Sequence, residues 1–174
     1  MRRVATLLST TLFAFTAHAA DFSLQVDGDH GRLPASSSYH GYGCTGDNRA
    51  PAVHWQNAPA GTRGFALTVF DPDAPTGKGW WHWAVINLPA STTSLPAGAA
   101  LPTGAVTLRN DYGDTGWGGP CPPPGDPPHH YVFTLFALDV PGLDAPSGAT
   151  AAWVEGAIRG HALGKAQTTL TYGR

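Results

Sequence analysis

Six prolines stand within nine positions, Pro120 to Pro128, and the chain then runs straight into "HHYVFTLFAL", His129 to Leu138. Proline fixes φ and has no N–H to donate, so the first part suits neither a helix interior nor a central strand. The second part is aromatic and β-branched, the composition of a strand. The sequence therefore sets a rigid loop against the mouth of a strand, with His129 and His130 at the join.

Other runs repeat the strand signal. "FALTVF" (Phe65–Phe70), "WHWAVINL" (Trp81–Leu88) and "AVTL" (Ala105–Leu108) are short, apolar and flanked by turn residues. Trp81–Leu88 and Tyr131–Leu138 are apolar on both faces, as central strands covered on both sides would be. "TTLTYGR" closes the chain as a further strand. One helix is expected over 150–164, with Thr150 as N-cap, Gly164 past its end and Glu155–Arg159 as an i, i+4 pair. With 22 glycines, 16 prolines and 13% charged residues, the chain reads as a mainly β domain and not a helix bundle.

The N-terminus addresses the compartment. Arg2 and Arg3, an apolar run and Ala17-His18-Ala19 make residues 1–19 a secretory signal peptide with an A-x-A cleavage site. Residues 20–174 then form a single domain, periplasmic or secreted. No long apolar stretch follows the leader, so no transmembrane span is expected and the exported domain reads as soluble. The net charge is −2 and no basic patch occurs, which argues against nucleic acid as a partner. Two cysteines, Cys44 and Cys121, are an even number in an oxidising compartment and are expected to form a disulfide. The rival reading is a nucleophilic Cys121 activated by His129 or His130, ranked below the disulfide.

The polar residues can now be placed. The first strand ends in Asp71, Pro72 and Asp73, and the next opens at His82. Consecutive strands most simply pair antiparallel, so these ends share one sheet edge. Asp71 and Asp73 are i, i+2 and face one side if extended; His129 and Tyr131 are also i, i+2. If their strand is also antiparallel to the first, two carboxylates, two imidazoles and a phenol converge at one rim. Taken singly, each has a plainer reading: a DPDAP turn, a solvated strand-end histidine, an ordinary packed tyrosine.

"DPDAPTGKGWWHWAVINLPA" (Asp71–Ala90) and "RNDYGDTGWGGPCPPPGDPPHHYVFTLFALD" (Arg109–Asp139) resemble the two signature segments of the phosphatidylethanolamine-binding protein family. The likeness is nearest to its bacterial, Raf-kinase-inhibitor-like branch. The resemblance implies an antiparallel Greek-key arrangement of a large and a smaller sheet with a C-terminal helical element. It also implies a small cavity at one sheet edge that accepts phosphate-type anions or phospholipid head groups. By motif position its ligand-binding residues would be Asp71, Asp73, His82, Pro123, His129 and Tyr131, with Gly119 and Pro120 nearby. His130 stands where the family often has arginine and is left out of the pocket; His54 stands where an apolar residue is usual. Larger eukaryotic relatives add a C-terminal helix over the cavity, which "TYGR" does not supply.

The reading is therefore an exported binding protein, not an enzyme, with no catalytic residue, metal or cofactor. Its partner would be a phosphate-containing small molecule or a phospholipid head group. Two alternatives stand beside it. A metal-dependent hydrolase would use Asp and His at the rim, but no H-x-x-x-H or comparable ligand spacing occurs. An inhibitor of a secreted protease, or another protein-facing regulator, is the other; the chain lacks the G-x-S-x-G of a serine hydrolase.

Overall fold

The computed structural model describes residues 20–174, and the expected signal peptide, residues 1–19, lies outside the described residues. A five-stranded sheet organises the rest. Its members are β5 (Gly64–Asp71), β6 (Trp80–Pro89), β8 (Val106–Thr107), β9 (His129–Leu138) and β10 (Ala162–Tyr172), every pairing antiparallel. In space they run β10-β9-β5-β6-β8. Three strands follow one another outward from β5, and the chain then returns across the sheet to place β9 on β5's other side. That is Greek-key order. The long return carries the six prolines, so the rigid loop is the crossover itself.

A three-stranded sheet, β1 (Ser23–Val26), β4 (Val53–Gln56) and β7 (Ser94–Leu95), packs on one face of the large one. Between them lie Leu24, Val53, Trp55 and Leu95 from the small sheet, against Phe65, Leu67, Val69, Val85 and Phe133. The alternate residues of the central strands, Ala66, Ala84, Ile86 and Leu138, pack on the other face beneath Leu143, Val154 and Ile158. Both faces of β5, β6 and β9 are covered, which is why these strands read as nearly continuous apolar runs. The remaining pair, β2 (His40–Gly41) and β3 (Cys44–Thr45), is a small hairpin with Tyr42 and Gly43 at its tip.

The expected helix over 150–164 is corrected. Only α1 (Trp153–Ala157) is helical; its cap position is Ala152 rather than Thr150, and Arg159 lies beyond it. Gly156 and Gly160 weaken helix across this window, and Gly160 turns at φ 83°. From Ala162 the chain pairs along the whole of β9, so the expected last strand starts six residues earlier than Thr168. Edge pairing over the length of a central strand outweighed a marginal local preference.

Candidate functional site

The ends of β5 and β9, the start of β6 and the crossover enclose a cavity of about 190 Å³ at one edge of the large sheet. Asp71, His82, Pro123, His129 and Tyr131 all line it. His129 and Tyr131 reach it by strand alternation, with His130 on the opposite face. His82 reaches it by another route. Val69 pairs with Trp83 and Phe70 with Trp81, which leaves His82 as the extra residue of a β-bulge. Regular alternation would turn His82 away from the face that Trp83 shares; the bulge turns it back.

Asp71 is the hub. It is buried, and its Oδ2 accepts from His129 Nδ1 at 2.8 Å, with His82 Nε2 3.9 Å from the same oxygen. Its Oδ1 accepts the backbone N–H of Asp73 at 2.8 Å and of Ala74 at 3.1 Å. Burial alone raises a carboxyl pKa, but the His82 imidazole beside it and the hydrogen bonds from His129 and from the Asp73 N–H together hold Asp71 below its ordinary value. The cavity thus carries a carboxylate that accepts three hydrogen bonds, two on Oδ1 and one on Oδ2. Gly118 fixes His82: its carbonyl receives the Nδ1–H while its N–H donates to the His82 carbonyl at 2.9 Å. Because that carbonyl can only accept, Nδ1 bears the proton and Nε2 faces Asp71.

Two phenols complete the interior. Burial, then the nearby Asp71 charge and other phenols, push Tyr131 well above the ordinary tyrosine range, so its hydroxyl remains a donor. That hydroxyl is buried and has no hydrogen-bond partner, and neither has Trp80 Nε1. Tyr112 is likewise pushed up, by burial and then by its charged and phenolic neighbours, and donates to the Gly119 carbonyl at 3.1 Å.

The remaining expected residues lie elsewhere. Asp73 does not line the cavity. The turn closed by Asp71 Oδ1 breaks the extended geometry, and Asp73 Oδ2 instead accepts from both the backbone N–H and Nδ1 of exposed His130, each at 2.7 Å. Gly119 and Pro120 stand behind the wall. Gly119 N–H donates to Asn48 Oδ1 at 2.8 Å, and the Pro120 carbonyl accepts from Tyr39 N and Ser38 Oγ. A Cβ on Gly119 would lie 1.9 Å from the Ser37 carbonyl oxygen, so only glycine fits there. His54 pairs with Asp27 at 3.7 Å on the small sheet. Cys44 and Cys121 are joined, Cα to Cα 5.9 Å, which excludes the reading of Cys121 as a free nucleophile in this structure.

Sequence reasoning missed the aromatic mouth. Tyr42, Trp80 and Tyr112 line the cavity together with Pro122. Tyr112 and Trp80 sit inside the two signature segments, where their aromatic type was the available signal. Tyr42 gave no such signal, because the Cys44–Cys121 bridge is what brings its hairpin to the crossover. Among the described residues no group of three His, Cys, Asp or Glu side chains is placed to hold a metal ion. No helix of the described residues is long and apolar enough to cross a membrane.

Comparison with known proteins supplies the family. Residues 24–173 match the family model described as phosphatidylethanolamine-binding protein. YbcL of Escherichia coli K12 is 43% identical over 180 residues, covering 96% of this chain and 97% of YbcL. YbhB of the same organism is 44% identical over 151 residues, covering 84% of this chain and 94% of YbhB. The crystal structure of YbcL, described as a new member of the mammalian PEBP family, superposes with a TM-score of 0.84 at 42% identity. It covers 89% of this chain and 99% of its own. With the Greek-key sheet and its edge cavity in place, the chain belongs to the phosphatidylethanolamine-binding protein family.

Proposed function

We propose that this chain is an exported binding protein whose edge cavity receives a phosphate-type anion, free or as a phospholipid head group, and that it is not an enzyme. The observation that carries the reading is the buried Tyr131 hydroxyl, without a partner beside the Asp71–His129 pair. An unsatisfied buried donor costs roughly 1–3 kcal/mol, a cost that a bound acceptor removes. The Tyr131 hydroxyl can donate to a phosphoryl oxygen, and His82 and His129, whose Nδ1–H groups are committed to Gly118 and Asp71, donate from Nε2 once protonated there, the charge-assisted bond that is the strong kind. At about 190 Å³ the cavity is smaller than pockets for drug-sized ligands, roughly 300–1,000 Å³, and matches a head group better than a whole lipid. Binding is favoured over catalysis because the Thr76 hydroxyl in the wall is committed to the Gly79 carbonyl and Cys121 to its disulfide. That leaves neither as a nucleophile for the imidazoles to activate. The signal-like leader and the disulfide both support export.

The test pairs two neighbouring histidines. His129→Ala is expected to weaken calorimetric binding of inorganic phosphate or phosphorylethanolamine by roughly 1.5–3 kcal/mol, the range for a hydrogen bond to a charged group. His130→Ala, whose side chain is outside with Asp73, should leave it nearly unchanged. Equal losses in both variants would sink the assignment.

A further inference from the structure

Gly118 grips His82 with the two peptide groups on either side of it. The N–H of the Trp117–Gly118 peptide donates to the His82 carbonyl, and the carbonyl of the Gly118–Gly119 peptide receives His82 Nδ1–H. Both peptides are trans. A trans peptide is planar and points its N–H and C=O in opposite directions, so the far edges of these planes face away from His82. Both far edges meet one side chain. Asn48 Nδ2 donates to the Trp117 carbonyl at 3.0 Å, and Asn48 Oδ1 accepts the Gly119 N–H at 2.8 Å. A carbonyl only accepts and an N–H only donates, so one orientation of the amide satisfies both. Asn48 is itself held: its own N–H donates to the Ser38 carbonyl at 2.9 Å, and its backbone is left-handed at φ 50°, a conformation that asparagine tolerates.

Asn48 does not line the cavity. It lies across the strip from His82, and the glycine between the two planes resists rotation less than any other residue would. The other side-chain holds on the strip's carbonyls act on the flanking peptides: Asn110 Nδ2 donates to the Gly116 carbonyl and the Tyr112 hydroxyl to the Gly119 carbonyl, each at 3.1 Å. What the Asn48 clamp protects is the placement of a proton. His82 is buried, and its Nδ1–H has a partner only while the Gly118 carbonyl faces it. With Nδ1 held, a proton taken up at Nε2 can meet an anion and leave neither N–H of the imidazolium unpartnered. If the plane turns, the ring either carries its single proton on Nε2 or leaves a buried Nδ1–H unsatisfied, and the charge-assisted bond is weakened in both cases. Resting on the phosphate-binding reading above, we propose that Asn48 is a positioning residue, which fixes the His82 tautomer through Gly118 and so sets the anion affinity of a cavity it does not touch.

Nitrogen NMR of the histidine rings and calorimetry with inorganic phosphate test this. In the parent, neutral His82 should show the Nδ1–H tautomer alone. Asn48→Gly removes the side chain without straining the left-handed backbone. It should bring in the Nε2–H tautomer and lower phosphate affinity about two- to ten-fold, the range for one neutral hydrogen bond. Asn48→Asp keeps the acceptor for Gly119 N–H and loses the donor to Trp117, so it should fall between the parent and Asn48→Gly; it carries the comparison if Asn48→Gly does not fold. A double-mutant cycle separates positioning from a general loosening of the fold. Asn48→Gly should add no further loss of affinity to His82→Ala, and its full loss to His129→Ala. A tautomer unchanged in both Asn48 variants, an unchanged affinity, or equal losses in the two histidine backgrounds overturns the proposal. The tautomer is read without ligand, so a parent that binds no phosphate overturns the phosphate reading while the ring spectrum still decides whether Asn48 holds His82.

Discussion

Asp71 shows how far a single residue could be read in advance and where that reading stops. Its place at the rim followed from antiparallel pairing of β5 and β6, and His129 and Tyr131 followed from strand alternation. Asp73 was misplaced because alternation fails once a side chain closes its own turn, as Asp71 Oδ1 does on Asp73 and Ala74. His82 was placed correctly at the edge, but its face depends on a bulge that no local pattern announces. The hub makes a prediction with a definite sign. Asp71 is held below its ordinary value of 3.8 in the folded protein, so the stability it contributes is complete above the unfolded pKa and is lost as pH falls through the folded one. Asp71→Asn, which removes the charge and keeps the shape, should cost about 1.5–3 kcal/mol near neutral pH. The gap in melting temperature between variant and parent should begin to narrow below about pH 4, where the unfolded chain's carboxylate takes up its proton, and close only below the folded pKa. A gap of constant size from pH 7 to pH 3 would show that the charge does not matter.

At the scale of elements, the crossover loop is the part the sequence made plainest and the helix the part it made least plain. Six prolines forbid regular structure, so the loop could be read as a preformed wall. The C-terminal window carried a helical pattern, yet two glycines and the long edge of β9 left it a single turn and a strand. The hairpin β2–β3 was not legible at all. Each of its strands has two residues, too few to hold themselves, and covalent linkage to Cys121 keeps Tyr42 at the mouth. Titration of the denatured, unreduced protein should therefore find no free thiol, and two thiols per chain would refute the bridge. The linked positions are 77 apart, so the closed loop contributes roughly 4–5 kcal/mol in the chain-entropy model. Cys44→Ser/Cys121→Ser should lower stability by up to that amount and weaken phosphate-ester binding. A double variant that melts and binds like the parent would make the bridge incidental.

For the whole molecule, fold and site meet in the Greek-key return. The strands that form the core, buried on both faces, end at the edge where Asp71, His82, His129 and Tyr131 stand. The apolar patterning that gives β5, β6 and β9 their central places also fixes which polar ends come together, which is why both were legible in outline. A site built on rigid central strands needs little ordering to accept its ligand. Binding should then add to global stability by mass action, because the unfolded chain has no site. At a concentration one hundred times the dissociation constant, phosphate or its ester should stabilise the native state by about 2.7 kcal/mol. For a domain of this size that is a rise of roughly 5–10 °C in melting temperature. Sodium chloride at equal ionic strength controls for general salt effects. In His129→Ala the rise should shrink at the same ligand concentration, since the ratio of ligand to dissociation constant has dropped. A rise of equal size in parent and variant would mean that the anion stabilises the fold from somewhere other than the cavity.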